Sequence, residues 1–110
     1  GDECIKALAN VVATSVRETD CAGRYGGEEF AILLPDTKSD DANVLAERIR
    51  QRVENMTVKY NDIDIQFTVS IGVAEINETF RTYESWIECT DASLYQSKSD
   101  GRNRITTYNI

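Results

Sequence analysis

Apolar residues recur along the chain with two periods, and the switches between them divide it into elements. Ile5, Leu8, Ala9, Val12 and Val16 stand at helical spacing behind Asp2 and Glu3, whose charge suits a first turn. This predicts a helix over about 2–17. Cys21 to Tyr25 and Phe30 to Leu34 read as strands joined at Gly26-Gly27, where glycine reaches positive φ at no steric cost. The second strand is apolar at every position, which predicts burial on both faces and a central place in a sheet. Pro35 to Lys38 is a turn, and Ser39 before Asp40-Asp41 reads as an N-cap. Ala42, Leu45, Ala46, Ile49 and Val53 repeat the helical stripe, with Arg48, Arg50 and Arg52 on the solvated face.

Beyond that helix the period changes to two. Val58 to Tyr60, a turn at Asn61-Asp62 and a long strand over Ile63 to Val73 form the expected hairpin, with Ile63, Ile65, Phe67, Val69, Ile71 and Val73 on one face. The run from Glu75 to Arg81 is a polar loop. A last helix over about 83–99 turns Trp86, Ile87, Leu94 and Tyr95 inward and stops at Gly101, and 103–108 supply a closing strand.

Composition narrows the classes. One core fits in 110 residues, no apolar run approaches a membrane span, and nothing at the N-terminus reads as a signal peptide. Cys4, Cys21 and Cys89 are odd in number and scattered, as reduced thiols in a cytosolic chain would be. The absence of histidine excludes a histidine-based triad, and a net charge of −7 speaks against non-specific nucleic-acid binding. A nucleotide accompanied by Mg²⁺ is not excluded.

The chemistry gathers at Arg24-Tyr25-Gly26-Gly27-Glu28-Glu29-Phe30, where two carboxylates sit on a turn held by rigid strands. Read alone, they are a metal or acid/base pair, or a solvated cap on a strand. Arg17 and Asp20 read alone are a helix-end cation and a turn aspartate, and Lys98 and Arg102 are dipole compensation at a helix end.

Gly26-Gly27-Glu28-Glu29-Phe30 resembles the signature of the GGDEF family of diguanylate cyclases. Gly1-Asp2, Arg17-Glu18-Thr19-Asp20 and Leu94 to Ile105 fit the same family in order and spacing. The resemblance implies an α+β fold with a ferredoxin-like βαββαβ core, an antiparallel sheet flanked by helices, whose first strand and metal-binding aspartate would precede Gly1. Residues 1–110 would then be an N-terminally truncated domain, inactive by itself. It implies condensation of two GTP into cyclic di-GMP with loss of two pyrophosphates. Glu28 and Glu29 would be the catalytic, metal-holding pair for Mg²⁺ or Mn²⁺. Asp2 would take the guanine N–H donors, Gly26 and Gly27 would admit the nucleotide, and Lys98 and Arg102 would bind the triphosphate. Arg17, Asp20 and Arg48 would form an inhibitory site for the product. The two-fold symmetry of cyclic di-GMP implies a homodimer. The implied setting is cytoplasmic, as part of a larger sensor protein, without nucleic-acid or membrane contact from this segment. The alternative is a non-catalytic module of the same family that senses cyclic di-GMP or GTP.

Overall fold

The computed structural model describes residues 2–26, 29–35, 37–75 and 82–107, in the order α1 (Asp2–Ser15), β1 (Cys21–Gly26), β2 (Glu29–Leu33), α2 (Ser39–Glu54), β3 (Val58–Tyr60), β4 (Ile63–Ile65), β5 (Ile71–Val73), α3 (Tyr83–Ser99) and β6 (Ile105–Thr107). The core lies where the predicted helical stripes meet. Val11, Ile49 and Val53 are buried at its centre, with Leu8, Ile32, Leu45, Met56, Phe67, Val69 and Ile71 packed around them. Each such aliphatic side chain contributes about 1.5–3 kcal/mol when fully withdrawn from water. Val11 joins Val12 in the interior because α1 packs against both α2 and β3, which widens its buried stripe.

The strands form three two-stranded ladders. β1–β2 and β3–β4 are antiparallel hairpins, while β5–β6 is parallel, as a return through the α3 crossover requires. The Asn61-Asp62 turn has positive φ at both residues (49° and 67°), the geometry that closes a two-residue hairpin. The mixed helix-and-strand layout is that of the expected nucleotide-cyclase fold, although one ladder departs from an all-antiparallel sheet.

Several expectations are corrected. β2 is not buried on both faces. Ile32 enters the core, whereas Ala31 and Leu33 are exposed, Leu33 by 39%, because they stand on the opposite face of the strand, turned away from that core. The strand expected over Ile63–Val73 is interrupted. Residues 66–70 keep the inward alternation of Phe67 and Val69 but have no ladder partner among the described residues, and Ile63 projects into solvent. The closing strand is shorter than 103–108: residues 101–103 turn with positive φ, and Tyr108 lies outside the described residues.

α1 ends at Ser15, short of Arg17, and its C-terminal cation comes from another helix. Arg52 of α2 donates through Nη1 to the Val11 carbonyl at 3.2 Å, to Thr14 Oγ1 at 2.9 Å and to Ser15 Oγ at 2.6 Å. Arg52 stays exposed, whereas Arg50 is half-buried: its side chain is 16% exposed and pairs with Glu47 and Glu54. Ser39 does not cap α2. Lys38 holds the cap position, and the Ser39 amide donates to Glu75 Oε1 at 2.6 Å, where a carboxylate meets the positive end of the helix dipole. The remainder of the expected loop, 76–81, lies outside the described residues.

α3 begins as predicted, with Thr82 Oγ1 accepting from the Ser85 amide at 3.1 Å. Its inward face is made by Ser93, Ser97 and half-buried Trp86, Ile87 and Leu94; Tyr95 is 72% exposed. Small residues are needed there because β5 comes close. A Cβ on Gly72 would lie 2.3 Å from the Leu94 amide nitrogen and 2.4 Å from the Thr90 carbonyl oxygen. Ser97 is fully buried, donating to the Ile71 carbonyl at 3.0 Å and bonded to Thr106 Oγ1 at 2.6 Å, so it locks α3 to both strands of the parallel ladder.

Candidate functional site

The signature hairpin forms where the paired glycines place it. β1 ends at Gly26 and β2 begins at Glu29, with Gly26 opposite Glu29, leaving Gly27 and Glu28 between the strands. Gly27 and Glu28 themselves lie outside the described residues. The register shifts between Arg24 and Gly26, so β1 carries one more residue than β2 just before the turn. Such bulges re-aim the chain next to functional sites. Asp2 opens α1.

Lys98 and Arg102 lie at the other end of the chain, on either side of the α3 terminus. Lys98 is exposed in the last helical turn. Arg102 follows Gly101 with φ of 62°, and its amide donates to the Ser97 carbonyl at 2.9 Å, the six-to-one bond of a Schellman closure. Among the described residues neither side chain makes a hydrogen bond or ion pair.

The structure brings Arg17, Asp20 and Arg48 together. All three line an open cleft of about 250 Å³, with Thr37, Asp41 and Val44 on its α2 side. Arg17 Nη2 donates to Thr37 Oγ1 at 2.9 Å, to Asp20 Oδ1 at 3.2 Å and to the Pro35 carbonyl at 3.4 Å. Asp20 Oδ2 accepts from the Arg17 backbone amide at 2.8 Å. That backbone bond is the main reason the Asp20 carboxyl is held below its usual pKa, with the Arg17 side chain reinforcing it against the cost of burial. Asp20 is thus tucked beneath its partner: its side chain is 1% exposed, that of Arg17 63%. As placed, Asp20 orients Arg17, and its carboxylate faces an outside ligand only if Arg17 swings away. Arg48 is exposed and makes no hydrogen bond to a described residue.

A larger, shallower depression of about 540 Å³ runs between Asn43 and Gln51 of α2 and Ile105 of β6, sharing Val44 and Arg48 with the cleft. Glu47, its only carboxylate, is engaged by Arg50 and favours that guanidinium's charged form. The smaller cleft is lined by two arginines, Arg17 and Arg48, and by two carboxylates, Asp20 and Asp41.

Sequence reasoning passed over Asn103, Arg50 and Glu54. Arg50 Nη1 donates to Asn103 Oδ1 at 2.9 Å, and Asn103 Nδ2 donates to Glu54 Oε2. The signal for Asn103 was its place after Gly101-Arg102, a run poised for left-handed backbone; nothing local pointed to its partners on α2.

Comparison with known proteins decides the family. The family described as "Diguanylate cyclase, GGDEF domain" matches residues 1–104. The chain belongs to the GGDEF family of diguanylate cyclases. Diguanylate cyclase A of Treponema denticola is 41% identical over 106 residues, covering 96% of this chain and 29% of the relative. Diguanylate cyclase DgcM of Escherichia coli is 42% identical over 105 residues, 96% of this chain and 25% of the relative. The chain therefore spans about a quarter to three-tenths of the length of these relatives. Among solved structures, the GGDEF domain of DgcB from Caulobacter crescentus in complex with c-di-GMP superimposes with a TM-score of 0.91 at 35% identity, over 97% of this chain and 64% of that one.

The family implies a divalent cation. No group of three or more acidic, histidine or cysteine side chains that could hold one occurs among the described residues. Adjacent in sequence, Glu28 and Glu29 carry carboxylate oxygens, the hard donors that Mg²⁺ and Mn²⁺ prefer, so by its chemistry the pair fits such an ion. No described helix is long and apolar enough to cross a membrane.

Proposed function

We propose that the protein condenses two GTP molecules into cyclic di-GMP with release of two pyrophosphates. The observation that carries this reading is the complete Gly26-Gly27-Glu28-Glu29-Phe30 signature at a tight hairpin, with Gly26 paired to Glu29, in a chain of this family. Glu28 and Glu29 would hold Mg²⁺ or Mn²⁺, which when bound would neutralise phosphate charge and polarise the reacting phosphoryl group. Glu28 also accepts the proton of the attacking 3′-hydroxyl. That oxygen forms a bond to the α-phosphorus of the second nucleotide, the bond from α-phosphorus to the bridging oxygen breaks, and pyrophosphate leaves with the electron pair. The same exchange in the opposite direction closes the ring. Asp2 accepts the adjacent N1–H and N2–H of guanine, a pairing suited to a two-oxygen acceptor. Lys98 and Arg102 bind the triphosphate, and Gly26 and Gly27 let the nucleotide approach the backbone. Because the product is two-fold symmetric, the reaction unites two half-sites across a homodimer axis.

The cleft of Arg17, Asp20 and Arg48 is the inhibitory product site. Its support is the convergence of two partly free guanidinium groups beside a carboxylate, together with the c-di-GMP complex of the related DgcB domain. Pockets that enclose a drug-sized ligand hold about 300–1,000 Å³. A cleft of about 250 Å³ accordingly takes one end of cyclic di-GMP and leaves the other for a second domain. We place the domain in the cytosol, as one part of a longer signalling protein. The test is incubation of the full-length protein with GTP and Mg²⁺, followed by chromatographic separation of nucleotides. Cyclic di-GMP accumulating to a self-limited plateau is expected; tight binding of cyclic di-GMP without turnover would instead establish a sensor.

A further inference from the structure

The turn after α3 is held in an unfavourable conformation by contacts that do not involve Arg102's own side chain. Gly101, Arg102 and Asn103 have consecutive φ values of 118°, 62° and 47°. Glycine takes this region freely and asparagine tolerates it, but at Arg102 it is disfavoured. Such backbone persists only where its surroundings over-determine it. Here they act from three sides. The Arg102 amide is tied to Ser97 of α3, the Arg104 carbonyl accepts from the Ile71 amide of β5 at 3.0 Å, and the Asn103 side chain is gripped by α2.

The grip is directional. Arg50 donates to the amide oxygen of Asn103, and Glu54 accepts from its nitrogen. Arg50 is itself braced by Glu47 and Glu54. Only a side chain presenting an acceptor and a donor side by side satisfies both partners. The turn's backbone and the Asn103 side chain are thereby tied down, while the Arg102 guanidinium has no partner among the described residues.

We propose that Asn103, clamped between Arg50 and Glu54, is a positioning residue that fixes Arg102 in its left-handed conformation and aims its guanidinium at the substrate triphosphate. The inference rests on the reading that Arg102 binds that triphosphate.

The test is steady-state kinetics of the full-length protein with GTP and Mg²⁺. Asn103→Ala raises KM for GTP roughly tenfold, the loss of one well-placed charged hydrogen bond, with kcat within a few-fold. Arg102→Ala raises KM by a similar or larger factor. The double variant is little worse than Arg102→Ala alone, since Asn103 acts through Arg102. Asn103→Asp sets a carboxylate against Glu54 and also raises KM; adding Glu54→Gln restores donor-to-acceptor pairing and recovers it. A structural role alone would lower the melting temperature without this KM split, coupling or rescue. If Arg102→Ala raises KM while Asn103→Ala does not, or if the two effects add in full, the positioning role is overturned and the triphosphate reading stands. If Arg102→Ala leaves KM unchanged, the triphosphate reading falls and the inference with it. Should Asn103→Ala fail to fold, the Asn103→Asp pair decides: no recovery on adding Glu54→Gln overturns the proposal.

Discussion

Replacing Arg17 by alanine separates the binding role of its cleft from its part in holding the fold. The Arg17 side chain reaches Asp20, Thr37 and the Pro35 carbonyl, so it ties the turn after α1 to the connection between β2 and α2. That side chain is 63% exposed, and an ion pair so open to water contributes at most about 1 kcal/mol after screening. The strongest contact to Asp20, from the Arg17 backbone amide at 2.8 Å, survives the substitution. Arg17→Ala should therefore lower the melting temperature by only a few degrees. For cyclic di-GMP the loss is larger, because a charged donor to phosphate or guanine contributes about 1.5–3 kcal/mol, a factor of roughly ten to a hundred in Kd. The initial rate of cyclic di-GMP synthesis should be unchanged while the plateau caused by product is lifted. Calorimetric titration of cyclic di-GMP into parent and variant, with progress curves and thermal melts on both, measures each quantity. Equal affinities in the two proteins would refute the reasoning and leave Arg17 as a tie between two turns.

Two further consequences concern stability rather than ligand binding. Gly72→Ala drives a methyl group into the α3 backbone at Leu94 and Thr90, where nothing flexible can yield, and should cost about 3 kcal/mol or more in a denaturant titration; a loss below about 1 kcal/mol would contradict the close packing of β5 on α3. Asp20, whose pKa is depressed in the folded state, contributes stability that is complete above the ordinary carboxylate pKa near 4 and fades as pH falls below it through the folded value. Asp20→Asn should therefore narrow its stability gap to the parent in melts taken from pH 6 down to pH 3, and a constant gap would show that the carboxylate's charge is not what the fold uses.

The elements that the sequence made legible are those decided by local pattern. The start of α3, the stripe of α2 from Ala42 to Val53, the Asn61-Asp62 turn and the break at Gly26-Gly27 each follow from spacing or turn chemistry within a few residues. What stayed hidden depends on partners distant in sequence. An all-apolar β2 is equally compatible with one covered face or two, and only the packing of the core against the Ile32 face decides that Leu33 is left in solvent. Arg50 and Arg52 stand on the polar side of α2 by periodicity, yet Asn103 and the end of α1 supply them with acceptors. Glu75 reached the start of α2 from beyond β5, where a local serine looked sufficient. At the candidate site, the family resemblance grouped Arg17, Asp20 and Arg48 as one expected product site, without its geometry. That they share one cleft, and that Asp20 lies beneath Arg17, needed the three-dimensional arrangement.

The central claim is that Glu28 and its neighbours make this domain a GTP-condensing enzyme. The most direct measurement follows the full-length protein with GTP and Mg²⁺ by phosphorus NMR, in parallel with Glu28→Ala. The account predicts one cyclic di-GMP and two pyrophosphates for every two GTP consumed by the parent, and no product from Glu28→Ala at an unchanged melting temperature. Product formation by the variant within a few-fold of the parent, or a parent that consumes no GTP, would contradict it.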